Sequence, residues 1–172
     1  MILCFVKIET NGLDPIKHDL YHISAKLYDK DVLVDSFEDF AYCRSEPSYY
    51  CSQALGLNEH TLKSYPKDTF DRFQRFISRQ EKVLLVGYNA SFDRPFIQEW
   101  FKDNQSKYTN YFLPGQVCLM SMSSTLLQNH LHKLPNFTKE TVYKLFDIHN
   151  EKPIEANIKL YYKLIKNFQI YV

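Results

Sequence analysis

Glycine is scarce, with four in 172 residues. No internal repeat, low-complexity tract or Pro/Gly-rich stretch divides the chain, so no flexible linker is expected inside it. An excess of one charge is also lacking. Twenty-one Lys and Arg face 20 Asp and Glu, a net charge of +1; no overall basic field advertises nucleic acid, and none excludes it. Long apolar runs are missing too. Met1 to Val6 and Val83 to Val86 are the longest, far below the roughly 18 residues that a membrane-spanning helix requires. The opening Met1-Ile2-Leu3-Cys4-Phe5-Val6 carries no positive stretch and no small-residue cleavage site, and reads as a strand rather than a signal peptide. Cysteine is limited to Cys4, Cys43, Cys51 and Cys118, without a C-x-x-C. The expectation is four buried thiols in a reducing, cytoplasmic compartment, not a disulfide framework.

What the chain does have is apolar bulk. Thirteen Phe, thirteen Tyr and a hydrophobic fraction of 45% exclude disorder. The length suits one domain over 1–172. Ile2 to Ile8 is nearly continuous in apolar residues, the pattern of a strand covered on both faces. Asn11-Gly12-Leu13-Asp14-Pro15 ends it with turn chemistry. Leu20 to Tyr28 and Val32 to Tyr42, joined at Asp29-Lys30-Asp31, complete a three-stranded meander. Phe70, Phe73, Phe76 and Ile77 recur at helical spacing and predict a helix over Asp68 to Ser78. Val83 to Tyr88 is a further short strand. Asn89-Ala90-Ser91 then caps a helix marked by Phe92, Phe96, Ile97, Trp100 and Phe101. Leu119 to Leu131, Lys139 to Leu145 and Ile154 to Lys166 are further helices, the last with Pro153 in its first turn, where a missing N–H is harmless. The aromatic stripes are expected in the core. Strands followed by helices and interleaved strands predict an α/β fold, a mixed central sheet flanked by helices.

Three segments bear chemistry. In a strand Lys7 and Glu9 project to one side, at the end where the chain turns and open α/β sheets hold ligands. Val86-Gly87-Tyr88-Asn89-Ala90-Ser91-Phe92-Asp93 is a strand-to-helix junction that delivers Asp93 to a first helical turn. His149-Asn150-Glu151-Lys152-Pro153-Ile154-Glu155-Ala156 enters the last helix. His130-x-His132 has metal-like spacing but no neighbouring partner, and is read as a pair of helix-end histidines.

These segments resemble the DEDD superfamily of 3′→5′ exonucleases, in the branch of the bacterial proofreading subunit and exonuclease X. That family opens with a strand ending Asp-x-Glu-Thr-x-Gly-Leu. It continues with Asn-x-x-Phe-Asp after a strand, and closes with a helix bearing His-x(4)-Asp. Here Lys7-Ile8-Glu9-Thr10-Asn11-Gly12-Leu13 and Asn89-Ala90-Ser91-Phe92-Asp93 stand at the first two motifs. Tyr21-His22-Ile23-Ser24 stands at the second strand, and Val117-Cys118-Leu119-Met120 at the mid-chain strand-to-helix segment. The resemblance implies a single ribonuclease-H-like domain that cuts phosphodiester bonds at nucleic-acid 3′ ends. Four carboxylates would hold two Mg²⁺ or Mn²⁺ ions, with a His as general base. On these positions Glu9, Asp93 and Glu155 become the expected metal ligands and catalytic carboxylates, and His149 the nearest candidate base. Thr10, Leu13, Asn89 and Phe92 become the expected substrate contacts. Leu13 has a second reading, as a turn hydrophobe covering the core.

The departures weigh as much as the match. Lys7 replaces the first Asp, Glu155 replaces the last by a longer carboxylate, and Asn150 stands at the base position with His149 one residue behind it. Glu151 stands where a tyrosine variant of the family would place its Tyr. Two unit charges about 4 Å apart interact by roughly 4 kcal/mol at an effective dielectric constant of about 20, and a divalent ion doubles the product. An ammonium at position 7 would therefore repel metal and attract the carboxylates; the alternative is a single ion held by Glu9, Asp93 and Glu155, with slow cleavage. Three functions follow from the resemblance. One is an exonuclease acting on single-stranded or 3′-end DNA or RNA with weak or lost hydrolysis. A second is a homologue that binds nucleic acid without cutting it. The third is a scaffold for a polymerase or another protein.

Overall fold

The structure, a computed structural model, describes residues 1–128 and 136–169. His130 and His132 lie outside the described residues. Five strands, β1 (Ile2–Thr10), β2 (Leu20–Asp29), β3 (Val32–Phe40), β4 (Val83–Gly87) and β5 (Phe112–Cys118), form one sheet in the order β3-β2-β1-β4-β5. The expected meander is present: β1 pairs antiparallel with β2, and β2 with β3. β4 and β5 extend it in parallel pairing, so the sheet is mixed as expected. The helices among the described residues are α1 (Tyr49–Leu55), α2 (Glu59–Ser64), α3 (Thr69–Ser78), α4 (Ala90–Asp103), α5 (Leu119–Leu126), α6 (Lys139–Leu145) and α7 (Pro153–Gln169).

The period-2 alternation of a strand sorts β1 between two cores. Cys4, Val6 and Ile8 join the cluster under α3 and α4, which contains Phe70, Phe73, Phe76, Phe96 and Phe101. Leu3 and Phe5 join the opposite cluster, with Leu119, Val142, Ile158, Leu160 and Leu164 from α5, α6 and α7. The aromatic stripes are thus core, as their spacing predicts. On its second face β1 runs Leu3, Phe5, Lys7, Glu9. It begins among apolar side chains and ends in charge, so this face leaves the core at the carboxyl end of the strand.

Three sequence expectations are corrected. The third strand ends at Phe40 rather than Tyr42, because Ala41 N–H donates to the Tyr21 carbonyl while Tyr42 N–H turns to Pro66. The helix starting at Leu119 ends at Leu126, and residues 129–131 lie outside the described residues. All four cysteines are free thiols, but Cys118 is only half-buried, at the junction of β5 and α5.

Candidate functional site

The carboxyl ends of the parallel neighbours β1 and β4 open onto a cleft of about 310 Å³. Lys7, Glu9, Thr10, Gly12 and Leu13 line one wall, and Tyr88, Asn89, Phe92 and Asp93 line the other. α1 contributes Tyr50, Cys51 and Leu55, and α6 contributes Lys139. A larger groove of about 580 Å³ lies at the opposite end of β1, between Met1, Lys30 and Tyr162. It has a single carboxylate, Asp31, and so gathers no acidic cluster. The cleft is the candidate site.

Its walls are shaped by local chemistry. The Thr10 hydroxyl donates to the Gly12 carbonyl at 2.7 Å and closes the turn after β1. Gly12 is required there, because a Cβ would stand 2.2 Å from the His18 ring. Buried Asn11 ties the same turn to the loop before α1, its amide nitrogen donating to the Ser45 carbonyl at 3.0 Å. Leu13 is left 77% exposed at the cleft mouth, so its second reading as a cover for the core does not hold. Asn89 begins α4 without a side-chain cap bond. Phe92 packs partly against the core beside Phe96. Thus the four expected substrate-contact positions, Thr10, Leu13, Asn89 and Phe92, do line one cleft.

The carboxylates fare differently. Asp93 is 7% exposed, and a Cβ on Gly87 would lie 2.7 Å from its Oδ2, so glycine at the end of β4 is what admits the carboxyl. Burial pushes Asp93 up to about 7; the Lys7 and Lys139 ammonium groups oppose this, and Glu9 adds to it. Glu9 is half-exposed and paired with Lys7, whose ammonium donates to Glu9 Oε1 and, at 2.8 Å, to the Ile8 carbonyl. Glu155 does not join them. Its carboxylate pairs with Lys26 of β2, which lies across from Phe5 on the same sheet face. His149 is also elsewhere, exposed in the loop between α6 and α7 and 3.1 Å from Asp147 Oδ1. Left-handed Asp147 and Asn150 shape that loop.

A divalent pair does not fit this arrangement. Among the described residues no group of three His, Cys, Asp or Glu side chains is placed to hold a metal ion. Two members of the expected set Glu9, Asp93 and Glu155 are each paired with a lysine, Glu9 with Lys7 and Glu155 with Lys26. Among the described residues lining the cleft there is no histidine.

Two lysines escaped the sequence reading. Lys26 lies mid-strand on a face covered by α7, and a buried-face lysine needs an anion opposite it. Lys139 occupies the first position of α6, after the N-cap Thr138, where a cation opposes the helix macrodipole. That misplacement is the signal that would have found it. Its ammonium lies 5.4 Å from the centroids of both Tyr88 and Tyr143. Burial lowers its pKa, and Lys7 lowers it further.

No protein-family model matches the chain. It is 30% identical over 90 residues to the PolC-type DNA polymerase III of Streptococcus mutans, covering 52% of this chain and 6% of that protein. To the PolC-type DNA polymerase III of Bacillus cereus it is 28% identical over 105 residues, covering 60% and 7%. The chain thus spans only 6–7% of the length of these relatives. A zinc-bound complex of Escherichia coli exonuclease I with single-stranded DNA superimposes with a TM-score of 0.77 at 16% identity, over 98% of this chain and 41% of that one. The sequence likeness is thus to part of PolC-type DNA polymerase III, and the fold is the ribonuclease-H-like fold of exonuclease I, in keeping with the resemblance to the DEDD superfamily of 3′→5′ exonucleases that the motifs carry.

Proposed function

We propose that this chain receives the 3′ end of a nucleic acid, single-stranded DNA in the first instance, and that metal-dependent phosphodiester hydrolysis there is weak or lost. The observation that carries the reading is the ion pair between Lys7 and Glu9 on the floor of the cleft. A two-metal mechanism needs carboxylates facing the ions that clamp the attacking and leaving oxygens. An ammonium seated on one of those carboxylates answers its charge and removes the reason for an ion to enter. Binding does not need that chemistry. Leu13, Tyr50 and Phe92 offer apolar and aromatic surface to bases, and stacking on such surfaces is tolerant of sequence. Mg²⁺ or Mn²⁺, which the superfamily resemblance implies, serves only residual hydrolysis in this reading and is not needed for binding. Four free thiols support a reducing compartment, and among the described residues no helix is long and apolar enough to cross a membrane.

The test is incubation of the protein with a 5′-labelled single strand and a 3′-recessed duplex, in Mn²⁺ and in EDTA. The expected result is binding that weakens steadily with salt, equal in both buffers, with no ladder of shortened products. A ladder that disappears in EDTA and in Asp93→Ala would restore the hydrolytic function. Absence of both cleavage and binding would leave the scaffold function, with a polymerase or another protein as partner.

A further inference from the structure

The two cleft lysines have donors left over. A lysine ammonium carries three N–H donors and no acceptor. Lys7 commits one donor to Glu9 and one to the Ile8 carbonyl, which leaves one. Lys139 meets the faces of Tyr88 and Tyr143, which attract its charge without accepting a directed hydrogen bond. Among the described residues no carboxylate or carbonyl takes any of its three donors. Glu9, Asp93 and Glu140 act on its charge from nearby, but Glu9 is paired with Lys7 and none of the three makes a hydrogen bond or ion pair with Lys139. The position of Lys139 brings no benefit to α6, since a cation at a helix start is unfavourable. A partly buried cation with no hydrogen-bonding partner is costly, and an anion entering the cleft relieves that cost while drawing on Lys7 as well.

We propose that Lys7 and Lys139 together stand where a metal pair would, and grip a backbone phosphate near the 3′ end of a bound strand without any metal. This rests on the reading that the cleft receives a 3′ end. It explains how a cleft can lose cutting and keep its grip. Two ammonium groups supply charge and hydrogen bonds to phosphate, but neither coordinates a water and lowers its pKa as a divalent ion does.

The experiment is equilibrium binding in EDTA of a 5′-labelled oligothymidylate. In one strand the two 3′-terminal linkages are neutral methylphosphonates; in a control the two 5′-terminal linkages are. The wild type is expected to prefer the control strand by about tenfold, the scale of one charge-assisted contact, and Mg²⁺ is expected to leave that ratio unchanged. Lys139→Met is expected to bind both strands alike, and Lys139→Arg to keep the preference. A thermal melt reads the folding of each variant, and Lys139→Gln serves if the Met protein does not fold. Equal binding of the two strands by the wild type overturns the inference and leaves the 3′-end reading standing. Full discrimination by a folded Lys139→Met protein, or discrimination that requires Mg²⁺, does the same. Failure of the wild type to bind either strand overturns the 3′-end reading itself, and this inference with it.

Discussion

Asp93 carries its carboxyl into a place from which water is largely excluded, while two ammonium groups stand nearby and Glu9 opposes them. Burial prevails and pushes it from 3.8 to about 7. The unfolded chain therefore releases this proton near pH 4, and the folded chain holds it to near pH 7. Between those limits the folded state binds more protons, so raising the pH through that window destabilises it; outside the window the contribution is flat. The interval sets an upper bound of about 4 kcal/mol. Asp93→Asn keeps the shape and removes the charge, so it should stabilise the protein at pH 8 by about 1–3 kcal/mol and change little at pH 4. Urea unfolding at both values decides this, and parallel curves for the two proteins would refute the burial effect. Gly12 offers a steric counterpart. Its Cβ-less position against the His18 ring predicts that Gly12→Ala lowers stability by about 1–3 kcal/mol through overpacking, read as a fall in Tm. Both residues were visible in the sequence as motif members, but neither reason was. The motif gives a residue type and a spacing, whereas the ring that fills Gly12 comes from six residues downstream, and the charges around Asp93 come from β1 and α6. Lys139 was hidden for the same cause: it meets Tyr88 only after α6 has packed.

Long, strongly patterned elements are legible because their burial repeats many times. β1 showed as a continuous apolar run, α3 as an aromatic stripe, and α7 as an apolar face ending in lysines. α1 and α2, of seven and six residues, offer too few turns for a period to emerge. Their caps are what remain readable: Ser48 accepts from Cys51 N–H at 3.3 Å, and Gly56 ends α1 in the left-handed region. β5 shows in the sequence only by its end, Val117-Cys118, because Pro114 and Gly115 interrupt the apolar pattern of a strand. A sheet edge tolerates both, since one side of the strand carries no ladder. α7 also separates two kinds of attachment to the sheet. Its buried Ile154, Ile158, Leu160 and Leu164 fill the second core, while the Glu155–Lys26 pair sits partly in solvent at its first turn. Packing should dominate. Leu160→Ala is expected to cost about 2–5 kcal/mol, whereas Glu155→Gln should cost under about 1 kcal/mol, as partly exposed pairs do. Denaturant midpoints for the two variants test the ranking, and a larger loss from Glu155→Gln would reverse it.

At the scale of the whole molecule, the fold brings the ends of β1 and β4, α1 and the start of α6 to one cleft, and on the proposed function its lysines govern what that cleft can hold. The net charge of +1 gives no long-range field for nucleic acid, so the proposed affinity must come from a few local cations and be correspondingly sensitive to each. On the proposed function, exclusion of metal is a matter of particular side chains rather than of fold. Lys7→Asp would release Glu9 from its ion pair and set a third carboxylate beside Glu9 and Asp93 on the cleft wall. Oxygen ligands in that number are what a hard divalent cation requires. A ligand that binds only the folded state stabilises it by about 2.7 kcal/mol at a hundredfold excess over Kd. For a chain of this size that corresponds to a rise in Tm of roughly 5–10 °C. Millimolar Mn²⁺ should therefore raise the Tm of Lys7→Asp and leave that of the wild type unchanged. Adding Lys26→Met, which frees Glu155 from its pair, should widen the gap. A wild-type protein that gains as much from Mn²⁺ as the variant would mean that its carboxylates already bind the ion, and the assignment of Lys7 as the residue that excludes metal would fall.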